Sequence, residues 1–146
     1  MLAELITNKI LISVIASYFV AGAIKVFFYY LRYERIDLMF FFRTGGMPSS
    51  HTTSVAAMTA SVYFLEGVSN LFVICLIVSS VIISDALGIR RAAGKQAQVL
   101  NTIIEEYTHF KKFRTRRLYE LLGHTPKQVI IGAILGIIIA KIIFII

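Results

Sequence analysis

Three short stretches of this 146-residue chain concentrate the side chains that could hold an anion and move a proton. The first is Gly45-Gly46-Met47-Pro48-Ser49-Ser50-His51. Two glycines free the backbone, a proline stops the preceding segment, and two serines and a histidine stand where an apolar helix begins. A helix start offers unpaired N–H groups and the positive end of the dipole, the hydroxyls of Ser49 and Ser50 add donors, and Gly46 lets the backbone approach closely. His51 can give or take a proton near neutral pH. The second stretch is Asp85 with Arg90, Arg91 and Lys95 downstream. Arg91 and Lys95 fall at i, i+4 if the segment is helical, a like-charge pair that costs about a few tenths of a kcal/mol unless an anion lies between them. The third is Gly123-His124-Thr125-Pro126-Lys127-Gln128. Gly123 can end one helix, Thr125 can cap the next, Pro126 suits its first position and Gln128 completes a capping box. That punctuation accounts for everything except His124. Two histidines at converging helix starts, with arginines and lysines nearby, suit a nucleophile and an acid.

The elements that must position these residues are membrane elements. Hydrophobic residues make up 58% of the chain and its mean hydropathy is +0.79, too apolar for an ordinary soluble domain. Four apolar stretches, about 5–31, 50–65, 71–85 and 125–146, are read as spans of an all-α polytopic bundle. The first is read as a retained span and not a secretory signal, because Glu4 and Lys9 make no basic leader and no small-residue cleavage site follows. Lys25 and Arg32, near its end, are seven residues apart and so on nearly one face. The connector after it mixes Arg35, Asp37 and Arg43 with Met39-Phe40-Phe41-Phe42 and suits the membrane boundary. In the second span Ala56 and Ala60, and likewise Ala57 and Ser61, are four apart and admit a close neighbour. Gly132, Gly136 and Ala140 give the last span a similar face, for packing against its own neighbours or in a homodimer.

Segment 86–124 is the polar one. Residues 86–128 hold nine of the fifteen Lys and Arg. Apolar residues at 100, 103, 104, 107 and 110 predict an interfacial amphipathic helix over Val99–Phe113, followed by a basic patch at Lys111–Arg117. The excess of 15 basic over 8 acidic residues is better matched to anionic lipid headgroups than to nucleic acid. The positive-inside rule puts the first and third connectors, and with them all three polar stretches, at the cytoplasmic boundary of what reads as a bacterial cytoplasmic membrane. Cys75 is the only cysteine and lies in an apolar run, which excludes an intrachain disulfide. His109 lacks the company that the other two histidines have.

The runs Gly45–His51, Asp85–Ala97, Leu100-Asn101 and Leu121–Pro126 resemble the divergent branch of the type 2 phosphatidic acid phosphatase family, related to vanadium haloperoxidases. The resemblance covers nearly the whole chain. It implies that Lys25 and Arg32 bind phosphate, that Pro48-Ser49-Ser50-His51 stands for the family's Pro-Ser-Gly-His motif with His51 protonating the leaving group, and that His124 is the nucleophile. His124 would form a phosphohistidine that water hydrolyses, with no metal or other cofactor required. Two positions depart from the family pattern. Gln128 stands where a carboxylate orients the nucleophile, and Leu118 stands where an arginine is expected. Asp85, Arg90, Arg91 and Lys95 complete the expected phosphate site. The expected substrate is a lipid phosphate or prenyl (di)phosphate; the alternatives are a non-catalytic protein that binds or moves an anionic lipid and, third, a structural subunit of a larger complex.

Overall fold

A computed structural model describes residues 2–43, 45–108, 118 and 123–146. The described residues are helical, with no strand among them: α1 (Leu2–Ile6), α2 (Lys9–Tyr33), a 3₁₀ turn (Leu38–Phe41), α3 (Ser50–Glu66), α4 (Asn70–Leu87), α5 (Ile89–Thr108) and α6 (Pro126–Ile145). Four of these helices start on a side chain that accepts from the first turn: Asn8 for α2, Ser49 for α3, Ser69 for α4 and Thr125 for α6. Asn8 separates α1 from α2, so the first span begins at Lys9 and not at residue 5. The box foreseen at Thr125 and Gln128 is complete: Gln128 N–H donates to Thr125 Oγ1 and Thr125 N–H donates to Gln128 Oε1.

Three stretches are long and apolar enough to cross a membrane: Lys9–Tyr33, a window in the nearly continuous Asn70–Glu105, and Pro126–Ile145. Their outward faces carry exposed Phe19, Phe27, Ile77, Val81 and Ile130, the surface that hydrocarbon rather than water would cover. The second expected span, α3, is not among the three. At 17 residues it is short, and instead it fills the middle of the bundle, packed against α2, α4 and α6. Membrane character is therefore clear, with three such helices among the described residues.

Small residues set the packing. On α2, Ser13, Ser17 and Ala21 recur every four residues and are all 0% exposed, and the next residue of that stripe is Lys25. The stripe that seats α2 thus carries a lysine inward. On α3, Ala57 and Ser61 are fully buried. On α6 the glycine face closes on α3: a Cβ at Gly132 would stand 2.9 Å from Ser49 O, and one at Gly136 would stand 2.9 Å from Ala57 N and closer still to Thr53 O. These successive contacts make α3 and α6 parallel, in near backbone contact. The face is used up within the chain. Of the two roles open to it, packing against its own neighbours is the one seen, with α3 lying on Gly132 and Gly136.

The 3₁₀ turn folds back along α2. Phe41 lies on Gly22, where any Cβ would strike its ring, and packs against Tyr18 at 5.8 Å and Phe19 at 5.7 Å. The aromatic connector therefore covers the side of α2 instead of only marking its end. Helix α5 starts at Ile89, ten residues before the expected amphipathic helix; the remainder of that prediction, the basic patch Lys111–Arg117 and His109 lie outside the described residues.

Candidate functional site

One end of the bundle gathers the polar motifs, because the chain enters α3 and α6 there and leaves α4 there. Ser49 N–H donates to Gln128 O (3.3 Å), joining the start of α3 to the first turn of α6. His124 N–H donates to Ala86 O (3.0 Å), joining the approach to α6 to the end of α4. At the far end Phe64 meets Phe144 at 5.7 Å with Lys9 over the same ring, a contact of aromatics and a cation with no such cluster.

His124 is the centre of the site, 4% exposed and shared between two cavities. The larger, about 230 Å³, is walled by Arg91, Lys95 and Gln98 of α5, by Gly45 and Gly46, and by His124, Thr125 and Gln128. The smaller, about 30 Å³, lies between His51, Asp85, Arg90 and His124. That is room for one or two water molecules. Gly123 lines both. Its φ is +83° and a Cβ there would overlap the Arg91 backbone, so glycine is what lets α5 press against the approach to His124.

The imidazole is held in one tautomer. His124 Nδ1 lies 3.3 Å from Gln128 Oε1. Thr125 N–H needs an acceptor and finds the same atom at 2.9 Å, which fixes the amide orientation. An amide oxygen can only accept, so Nδ1 carries the proton in this contact. Burial, and then the charge of Lys25, push the His124 pKa below the usual histidine value. Hydrogen bonds to Gln128 and to the Gly46 backbone oppose this, and His51 adds to it. The net direction favours the neutral ring.

The expected site residues separate into three groups. Brought together are His51, His124, Gln128, Gly46, Arg91 and Lys95, with Lys25 only 2% exposed, its Nζ donating to Arg43 O (3.2 Å) and its stem 3.9 Å from where a Gly46 Cβ would stand. Asp85 and Arg90 are present but engaged with each other, Arg90 Nε donating to Asp85 Oδ2, so Asp85 faces a cation and not an anion. Ser49 is spent on the cap: it accepts from Thr52 N–H and from Thr52 Oγ1–H and is 0% exposed. Ser50 Oγ is buried with no hydrogen-bond partner among the described residues. Arg32 is not brought in. It stands about 10 Å beyond Lys25 along α2, by seven residues of helical rise, and its guanidinium lies over the Tyr33 ring.

Gln98 and Asn101 were missed by sequence reasoning as functional side chains. Gln98 follows Arg91 at i+7, Gly94 at i+4 and Lys95 at i+3, so the spacing from Arg91 could have found it. Asn101, 3% exposed, clamps position 118 at both backbone atoms: Nδ2 donates to Leu118 O (2.8 Å) and Oδ1 accepts from Leu118 N–H (2.9 Å). This ties the chain six residues ahead of His124 back to α5. Among the described residues no three of His, Cys, Asp and Glu converge as a metal site would need.

Comparison with known proteins agrees with this arrangement of motifs. Residues 6–139 match the model of the Divergent PAP2 family. The chain is 34% identical over 152 residues to the uncharacterized membrane protein YuiD of Bacillus subtilis (strain 168), covering 96% of each. No solved structure matches it significantly. A helical membrane protein whose family match runs through all three motifs gathered around His124, this chain belongs to the Divergent PAP2 family.

Proposed function

We propose that the protein is a membrane-embedded phosphatase that hydrolyses a lipid phosphate or prenyl (di)phosphate through a phosphohistidine, with its site at the cytoplasmic boundary. One observation carries the reading: a buried histidine with its Nδ1 held by Gln128, standing between a cationic cavity and a second histidine. The phosphate lies in the larger cavity against Arg91, Lys95 and Lys25. His124 Nε2 attacks phosphorus, the N–P bond forms, the P–O bond to the lipid breaks, and His51 protonates the departing oxygen. Water then attacks from the smaller cavity, His51 takes its proton, the N–P bond breaks and phosphate leaves. The paired Asp85 and Arg90 hold that cavity's polar wall. The three cations and the backbone around Gly46 oppose the charge that grows on the phosphoryl oxygens.

The test is to trap the intermediate. Purified protein turning over a lipid phosphate and quenched in alkali is expected to carry acid-labile phosphate on the peptide containing His124, and none in His124→Ala. Labelling that persists in His124→Ala would overturn the assignment.

A second reading rests on Gln128. A neutral amide fixes the tautomer but stabilises an imidazolium less than a carboxylate does. The same cavity without turnover would be an anionic-lipid binding or transport site. Retention of lipid phosphate that depends on Arg91 and Lys95, with no phosphate release, would favour it.

A further inference from the structure

A third cavity, of about 480 Å³, opens on the side of the bundle, where α4 and α6 both pack on α3 yet scarcely meet each other. Its floor is small: Ala56 and Ala60 of α3 and Ser79 of α4, with Phe72 and Ile83 of α4 and Ile137 of α6 on its rim. Of the four hydroxyls in the lining, those of Thr59, Ser79 and Ser80 are used internally, and the fourth is that of Tyr63. Thr59 Oγ1 and Ser79 Oγ share a hydrogen bond at 2.8 Å, Thr59 also donates to Val55 O (2.9 Å), and Ser80 donates to Leu76 O (2.8 Å). The groove therefore presents hydrocarbon. From Phe72 to Ile83 it runs eleven residues of helix, about 16 Å, which is roughly half of a 30 Å hydrocarbon core. Its Ile83 end is decisive: the neighbouring Ile82 already lines the small cavity with His51, Asp85 and His124. An apolar trough one leaflet deep thus ends one helical residue from the small cavity that His51 and His124 share.

We infer that this groove between α4 and α6 binds one hydrocarbon chain of an anionic lipid whose phosphate sits at His124. The inference rests on the headgroup position proposed above. A chain lying there covers Ala56 and Ala60, which have no bulk of their own, while the phosphate meets Arg91 and Lys95. A free inorganic phosphate would satisfy the cations but leave the groove to bulk lipid, and a helix of another chain would fill the groove without an anion.

The chain contains no tryptophan, so a single one reports cleanly. Phe72→Trp places it on the groove rim; Ile77→Trp, at a position 59% exposed, places it on the lipid-facing side of the same helix. Both proteins are put in phosphatidylcholine vesicles and titrated with hexadecyl phosphate brominated along its chain. Quenching of Phe72→Trp should saturate at low mole fraction and be reversed by unbrominated hexadecyl phosphate but not by hexadecanol, while Ile77→Trp should show only a gradual rise proportional to mole fraction. Adding Ala60→Phe to Phe72→Trp should abolish the saturable part. Proportional quenching at both positions, or reversal by hexadecanol as well as by the phosphate, would overturn the inference. Phosphate release measured on the same vesicles separates the two ideas: release with proportional quenching sinks the groove alone, and saturable quenching without release sinks the phosphatase alone.

Discussion

The two helices that meet at His124 are held very differently. Helix α6 lies on α3 with glycine against backbone at Gly132 and Gly136, and its first turn is tied to Ser49 and to the Thr125–Gln128 box. Helix α5, which carries Arg91, Lys95 and Gln98, packs on α4 alone among the described helices and leaves Val99, Leu100 and Ile103 exposed on its other face. The difference assigns the labour. On the proposed mechanism, the attacking atom is fixed by close glycine-to-backbone packing, whereas the cations that would meet the phosphate arrive on an arm that a bilayer surface can adjust.

The largest effect should come from breaking the tight side. Gly136→Leu forces a side chain into Thr53 and Ala57, a cost of about 3 kcal/mol or more, so thermal unfolding in detergent should fall sharply or monodisperse protein be lost. On the loose side Ala92→Leu, an exposed position of α5, should shift stability by less than about 0.5 kcal/mol. Equal losses at both would erase the distinction.

Gln128→Glu sharpens the comparison from the chemistry. The carboxylate keeps both hydrogen bonds of the capping box, sits at the positive end of α6 and supports an imidazolium on His124. Turnover should rise on the order of tenfold or more. A fall would mean that the amide is required.

The pH profile offers the next check. Burial holds the His124 pKa below the ordinary 6.5. The neutral nucleophile is therefore already formed at pH values where a free histidine would be half protonated, and the acid limb of kcat/KM should lie below 6.5. In Gln128→Glu the same limb should move up. An unshifted limb in both proteins would show that His124 does not set it.

Smaller effects should separate neighbouring arginines. Arg91 lines the larger cavity, and Arg91→Gln should raise KM about tenfold by removing one charge-assisted contact. Arg90 is already paired with Asp85, and Arg90→Gln should change KM less. Steady-state kinetics on one lipid phosphate decides between them.

Much of this was legible in the sequence where a residue's local role and its tertiary role coincide. Thr125 and Gln128 cap a helix wherever that helix sits, and Ser49 caps α3 by the same chemistry. Hydropathy located the apolar helices, and at 17 residues α3 is the one that is not long and apolar enough by itself to count among the three, its Ser and Thr lying largely among other helices. Spacing placed Lys25 and Arg32 on one face, yet only Lys25 belongs to the site. A shared face says nothing of the 10 Å of rise between them, nor of where the connector folds back. Arg90 and Arg91 are adjacent in sequence and differ only because consecutive helical residues point about 100° apart, one toward Asp85 and the other into the cavity. The glycine face of α6 was visible, but nothing local could say that its partner was α3.

The most direct test of the central claim is phosphate release by the purified protein from phosphatidate, phosphatidylglycerophosphate and prenyl phosphates or diphosphates, with EDTA present and His124→Ala in parallel. Release from at least one of these lipids, lost in His124→Ala, is the predicted result. No release from any of them, or release that His124→Ala leaves intact, would contradict it.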